Sequence, residues 1–191
     1  MSDAAVREAG SGTSDATRVE RAWSVLQGVL DPEVPVLSVC DLGIVRDVQP
    51  AAGGGLAVVV TPTYSGCPAT EVIAASVRAA LEAAGLGPVA IETRFAPAWT
   101  TDWMSADARE KLRAYGIAPP GRAARERSPE GGAAVPLRFV PRRVSLPERT
   151  LPCPRCASAD TERLSAFGST ACKSLWRCRA CGEPFEHFKP I

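Results

Sequence analysis

The stretch LPCPRCASADTERLSAFGSTACKSLWRCRACGEPFEHF, residues 151–188, decides the fold of the C-terminal part of the chain. It contains two Cys-x-x-Cys pairs, Cys153/Cys156 and Cys178/Cys181, separated by 21 residues. Each pair can present two thiolates to one metal ion, and two pairs complete a tetrahedral site. The four cysteines therefore predict a zinc ribbon with a structural zinc. Rubredoxin-like iron is the chemical alternative, because tetrahedral sulfur suits it too.

The ribbon pattern leaves three of the chain's seven cysteines unassigned. Cys172 lies six residues before Cys178 and has three possible roles: spare ligand, reactive thiol or packed residue. Its polar neighbours favour exposure, and Lys173 would lower its pKa if the two groups lie close together. Cys40 lies in an apolar stretch and is predicted to be a packing residue.

The composition is that of a globular protein, with 191 residues, 46% hydrophobic and 23% charged. The clustering of the cysteines near the C-terminus favours a metal site over a framework of disulfide bonds. Residues 1–16 lack the apolar core of a signal peptide, and no run approaches the roughly 18 apolar residues of a membrane helix. These features predict a cytoplasmic protein without a membrane partner.

The order of elements predicts an α+β domain before the ribbon. We expect a disordered tail (1–16), a domain (17–118), a flexible linker (119–136) and the ribbon (137–191). Hydrophobic spacing predicts the following elements: a helix over 17–30 ended by Asp31-Pro32, a hairpin of strands 43–48 and 56–63, a helix over 68–84, a strand over 88–96, and a helix over 105–115 capped by Ser105. Strands that pair locally disfavour a doubly wound parallel sheet.

Cys67 is predicted to be the N-cap of the second helix, with Pro68 at its first position. A helix N-terminus favours a thiolate, so its pKa would be lowered and Cys67 would bind metal or act as a nucleophile. The alternative is a small buried residue. For Asp31, Glu33 and Asp41 the alternative is a solvated turn. The chain has one histidine, His187, in the ribbon, which makes a Cys–His protease improbable.

Residues 136–191 carry 10 basic and 5 acidic residues, whereas residues 1–135 carry 12 and 16. The cations are expected to offset the negative charge of a four-thiolate zinc site; nucleic-acid binding is the alternative, which a pI near 7.6 disfavours. The basic residues concerned are Arg155, Lys173, Arg177 and Arg179. Trp176, Phe185 and Phe188 are expected to form the ribbon core, with a partner-facing patch as the alternative.

Three segments, DPEVPV (31–36), DLGIV (41–45) and TPTYSGCP (61–68), resemble the SufT-like family of iron–sulfur assembly proteins. The segments WTTDWMSADAREKLRAYGIAPP (99–120) and FGSTACKSLWRC (167–178) resemble the PaaD (PaaJ) family, whose members are encoded with phenylacetyl-CoA epoxidase. The resemblance covers about residues 17–118 and 137–191.

The resemblance implies a small α/β sandwich of the iron–sulfur assembly type and a non-enzymatic accessory role in aerobic phenylacetate degradation. Cys67 would handle transient iron or an iron–sulfur cluster, with Asp31 and Glu33 beside it. Cys67 alone cannot hold a cluster, so Cys172, a second copy of the chain or a partner would have to contribute. The expected partners are the oxygenase or its reductase. A structural subunit of the complex and a zinc-ribbon nucleic-acid binder are the alternatives.

Overall fold

The computed structural model describes residues 8–64, 66–121 and 151–191, with side chains from residue 14 onward. Residues 1–7 and most of the predicted linker lie outside this range. The N-terminal part comprises α1 (Glu8–Leu26), β1 (Val45–Ala51), β2 (Gly55–Val60), α2 (Thr70–Ala83), β3 (Val89–Thr93), α3 (Ala106–Tyr115) and β4 (Ile117–Ala118). The C-terminal part comprises β5 (Thr161–Ser165), β6 (Lys173–Cys178) and β7 (Pro184–Phe188).

The first sheet has the order β1-β2-β3 and confirms the predicted hairpin. β1 and β2 are antiparallel across a glycine turn, and β3 returns parallel to β2 after the α2 crossover. β2 can lie close to β3 because Gly55 has no side chain: a Cβ there would lie 2.5 Å from the Pro88 carbonyl oxygen. α1 and α2 contact each other, and α1 contacts β1 while α2 contacts β3, which gives the predicted α+β sandwich.

Several element boundaries differ from the sequence prediction, those of α1 and β1 among them. α1 begins at Glu8, inside the predicted tail, and ends at Leu26, before Asp31-Pro32. A turn closed by the Gly28 N–H and the Val25 carbonyl stops the helix there. β1 begins at Val45, because Gly43 lies in a turn with φ +67° that its N–H closes on the Cys40 carbonyl.

The second sheet joins the two parts of the chain. Its order is β4-β7-β6-β5, with β4 parallel to β7 and the other pairs antiparallel. Phe188 on β7 was expected in the ribbon core, but it packs in the N-terminal core, with its ring centroid 6.2 Å from that of Trp99. Trp176 and Phe185 do form the ribbon core, against Cys153 and Cys178. The ribbon is therefore docked onto the first domain.

Candidate functional site

The four ribbon cysteines lie at the spacing that a tetrahedral metal site requires. The Sγ atoms of Cys153 and Cys181 are 3.8 Å apart, and those of Cys156 and Cys178 are 3.6 Å apart. A Zn–S bond of about 2.3 Å in a regular tetrahedron places its sulfurs about 3.8 Å apart. Within the described residues, this is the one group of three or more cysteine, histidine or carboxylate ligands gathered closely enough for a metal ion. The donor set therefore fits zinc.

Both Cys-x-x-Cys turns use the same backbone device. The N–H of the residue after each second cysteine bonds the carbonyl of the first: Ala157 to Cys153 and Gly182 to Cys178, each at 2.9 Å. Both residues have a positive φ. The pKa values of the neighbouring thiols move in opposite directions: the backbone N–H of Cys181 lowers the pKa of Cys178 to about 7, whereas, against the Ser158 N–H, hydrogen bonds to the other sulfurs raise the pKa of Cys156 to about 12.

Three of the described basic residues of the ribbon lie against a carboxylate or a helix end. Arg177 and Arg179 both bond Glu162. The Arg155 guanidinium packs against Gly116 at the C-terminal end of α3. These three of the described basic residues therefore have local neighbours within the chain.

A second group of chemically active residues lines one small cavity between the two parts of the chain. Cys67, Asp31 and Glu33 come from the first domain, and Cys172 comes from the ribbon. The cavity volume is about 10 Å³, and Phe188 and Ile73 are among the apolar side chains that close it. All four residues singled out as cargo ligands thus face the same space, although they are separated by up to 141 positions in sequence.

Cys67 lies before α2 and is not its N-cap. The N-cap position is occupied by Ala69, and the Cys67 carbonyl accepts hydrogen bonds from the N–H and the hydroxyl of Thr70. Burial raises the pKa of the Cys67 thiol, the Ala69 N–H opposes this, and the charge of Glu33 adds to it. The predicted lowering of its pKa is therefore wrong, because burial outweighs the nearby N–H group.

Cys172 is buried, although its polar neighbours favoured exposure. Its side chain packs in the N-terminal core, and its sulfur lies 3.0 Å from the Thr170 hydroxyl oxygen. Burial raises the pKa of Cys172, whereas the Thr170 hydrogen bond and the nearby Lys173 lower it by less. The ribbon therefore contributes a protonated thiol to the cavity wall.

Asp31 is buried and organises the loop that carries Glu33. Its Oδ1 accepts the backbone N–H groups of Glu33 at 2.9 Å and Val34 at 2.8 Å. Burial raises the pKa of Asp31 and of Glu33, and the charge of Asp31 raises that of Glu33 further. The expectation of a solvated turn does not hold for Asp31.

Asp41 has a separate structural role: Lys111 and the Ser38 N–H bond its carboxylate.

Sequence reasoning assigned Lys173 to the zinc site, but its charge acts on the cavity. Lys173 is 4% exposed, and its Nζ lies 2.9 Å from Glu186 Oε2. Its positive charge also lowers the pKa values of Asp31 and Glu33. No local pattern reveals this role, because it depends on how the start of β6 lies against the 31–34 loop.

Half-buried Cys40 packs against the core away from this cavity, and burial raises its pKa to about 11.

Comparison with known proteins identifies the family. The chain is 46% identical over 174 residues to a component of the "Putative 1,2-phenylacetyl-CoA epoxidase" of Escherichia coli (strain K12), covering 91% of this chain and 94% of that one. Residues 140–189 match the PaaD zinc beta ribbon domain. This chain belongs to the PaaD family. Its residues 20–93 match the iron–sulfur cluster assembly protein family, so both resemblances drawn from the sequence are confirmed.

Two further relatives align with the first domain of this PaaD-family chain. An Fe-S protein maturation auxiliary factor from Porphyromonas gingivalis is 39% identical over 89 residues, covering 46% of this chain and 84% of that one. A crystal structure of a DUF59 domain from Bacillus anthracis matches with a TM-score of 0.49 and 24% identity, covering 53% and 96% of the two chains. None of the described helices is long and apolar enough to span a bilayer.

Proposed function

We propose that this PaaD-family protein is a cytoplasmic, non-catalytic accessory protein that assists assembly of an iron or iron–sulfur centre in a phenylacetyl-CoA epoxidase. The observation that carries the proposal is the cavity at which Cys67, Cys172, Asp31 and Glu33 meet. Cys67 receives and passes on the cargo, and the oxygenase or its reductase is the recipient. The names of the relatives from E. coli and P. gingivalis support both halves of this proposal.

The ribbon supports this role by holding zinc. Cys153, Cys156, Cys178 and Cys181 would bind the ion, which supplies no chemistry beyond cross-linking the two turns. Four thiolates fill a tetrahedral zinc, so no position remains for cargo. The ribbon's contribution to the cargo site is the placement of Cys172 and Phe188 against the first domain.

The test is co-expression of the epoxidase components with a Cys67→Ala variant, followed by measurement of iron in the purified oxygenase and reductase. We expect the iron content of one of them to fall several-fold while the variant still folds. Cys40→Ala is the matched control, because Cys40 is a half-buried thiol of the same domain that does not line the cavity. Full iron occupancy with Cys67→Ala would favour a structural subunit instead.

A further inference from the structure

A second cavity, which we call the ribbon pocket, lies on one face of the second sheet. Side chains two positions apart on a strand share a face, so Ser174 lies beside Trp176 on β6 and His187 lies beside Lys189 at the end of β7. Ser174 and His187 are paired across the two strands. All four residues line the ribbon pocket, whose volume is about 430 Å³. None of its described lining residues also lines the cavity at Cys67.

His187 brings a buried hydrogen-bond donor to the ribbon pocket. Its side chain is 7% exposed, and its Nε2 has no hydrogen-bond partner among the described residues. Trp176 Nε1 donates to the Ser174 hydroxyl oxygen at 2.9 Å, which leaves the hydroxyl proton for His187 Nδ1, 3.4 Å away. The neutral imidazole then carries its own proton on Nε2. Because buried donors in proteins are almost always paired, this N–H group points to an acceptor on a bound molecule.

The charged groups of the ribbon pocket favour an anion. Two basic side chains, Arg163 and Lys189, line it, and none of its described lining residues is acidic. Lys189 Nζ lies 4.6 Å from the centroid of the Phe167 ring and 3.4 Å from the Ala166 carbonyl oxygen, and both groups belong to the wall. Burial and the charge of Lys189 lower the pKa of His187 to about 4, so the imidazole stays neutral. An ammonium and an uncharged N–H together suit the two oxygens of a carboxylate.

The rest of the wall is apolar and partly aromatic. Trp176 is buried, whereas Phe167 is 65% exposed, and Leu151 and Pro190 complete this side. Aromatic rings pack best against another ring in an offset or edge-on arrangement, so the two rings favour a flat apolar ligand. The volume of about 430 Å³ lies near the lower end of the range for ligand sites, about 300–1,000 Å³. The pocket therefore suits a compact molecule with a single ring.

We propose that the ribbon pocket binds a small aromatic monocarboxylate, with its ring against Phe167 and Trp176 and its carboxylate at Lys189 and His187 Nε2. Binding is non-covalent, and no bond is made or broken. This site goes beyond the proposed function, in which the ribbon holds zinc and supplies part of the wall at Cys67. The ribbon would then bind a small organic anion as well as a metal ion.

The experiment is calorimetric titration of the zinc-loaded, full-length protein with three aromatic acids of increasing length: benzoate, phenylacetate and phenylpropanoate. The control probes are acetate and inorganic phosphate, which lack the ring, and the neutral amide of the tightest-binding acid. We expect saturable binding of at least one acid with one molecule per chain. The amide should bind about tenfold more weakly or worse, because it loses a charge-assisted hydrogen bond. Acetate and phosphate should not bind at the same concentrations.

Variants locate the ligand on the chain. Lys189→Met removes the charge but keeps an unbranched side chain, and His187→Phe removes the N–H donor, so each should weaken binding about tenfold. Arg94→Met is the matched control, because Arg94 is an exposed cation of the first domain that does not line the pocket. Zinc content and circular dichroism show that each variant folds. In the unmodified protein, the ¹⁵N resonance of His187 Nε2 should shift on binding, which tests the contact without a substitution.

Three results would overturn this inference. No saturable binding of any of the aromatic acids at millimolar concentrations would remove the site. Equal affinity for an acid and its amide would show that the pocket does not select an anion. Full affinity in folded Lys189→Met and His187→Phe proteins would place the ligand elsewhere on the chain. The proposed function is judged separately, by the iron content of the epoxidase when Cys67 is replaced, and none of these results changes that measurement.

Discussion

The ribbon and the inter-domain cavity both depend on cysteine, but their geometry suits opposite tasks. The ribbon sulfurs lie 3.6 and 3.8 Å apart across the two Cys-x-x-Cys turns, a spacing that fits four bonds to one metal ion. Cys67 and Cys172 face a cavity as protonated thiols held by apolar packing. Four thiolates around one ion fit a structural site that keeps its metal, whereas two buried thiols in separate parts of the chain fit the proposed transient role.

The largest expected effect is from Cys178→Ser in the ribbon. Cys178 is fully buried, and the variant loses one of four ligands to an ion whose binding contributes on the order of 10 kcal/mol to folding. We expect zinc loss and unfolding of β5–β7, followed by loss of the cavity, which β6 and β7 help to build. Zinc analysis and limited proteolysis would show this. A zinc-free variant with an intact cavity would mean that the two sites are independent.

Phe188→Ala should disturb the cavity and leave the ribbon metal site intact. Phe188 is 1% exposed and packs in the N-terminal core, so its truncation should cost about 3–5 kcal/mol of unfolding free energy. We expect zinc to stay bound, because Phe188 lies outside the ribbon core, while the cavity loses part of its wall. Chemical denaturation and metal analysis test both parts. Phe185→Ala is the control. Because Phe185 lies in the ribbon core, this variant should lose zinc before the cavity is disturbed.

Acid should weaken the ribbon by a route that does not involve the cavity ligands. Burial lowers the pKa of His187 to about 4 from 6.5, and its Nε2 has no hydrogen-bond partner within the described residues. Between pH 6.5 and 4, His187 is protonated in the unfolded chain but neutral in the folded chain. The free energy of unfolding therefore falls over this range by on the order of 3 kcal/mol.

Melting curves across this pH range, with zinc content recorded at each point, would check the His187 prediction. His187→Phe removes the titrating group. The unfolding free energy of the unmodified protein should therefore fall between pH 6.5 and 4, while that of the variant should not fall for this reason. A parallel pH dependence in both proteins would assign the acid sensitivity to the cysteines instead.

The smallest effect is expected from Cys40→Ala. Cys40 packs against the core but belongs to neither site, so its removal should cost about 1 kcal/mol. Zinc content and the iron content of the co-expressed epoxidase should match those found with the unmodified protein. A loss of iron here would show that the cavity variants act through packing, which would weaken the contrast between the two sites.

The two regions also differ in how far sequence could predict them. The Cys-x-x-Cys spacing is a local sequence pattern. It allowed one metal site to be recognised before the fold was known, with these ligands: Cys153, Cys156, Cys178 and Cys181. The role of Cys172 could not, because its polar neighbours describe its position along the chain and not the domain packed against it. Cys67 does line the cavity, but the physical reason for singling it out was wrong: helix capping would require α2 to begin two residues earlier. The pKa direction reversed because burial, which sequence does not show, outweighs a nearby N–H group.

The pairing of β4 with β7 has a consequence for the order of events during synthesis. Chains fold from the N-terminus as they emerge from the ribosome, so the hairpin, α2 and the Cys67 loop form first. Cys172 and Phe188 are made much later, because both follow the 119–136 segment in sequence, and the cavity has no second wall until then. A nascent chain or a truncated product would therefore present Cys67 without its partner thiol. Completion of the cavity therefore requires that the ribbon has been synthesised and folded.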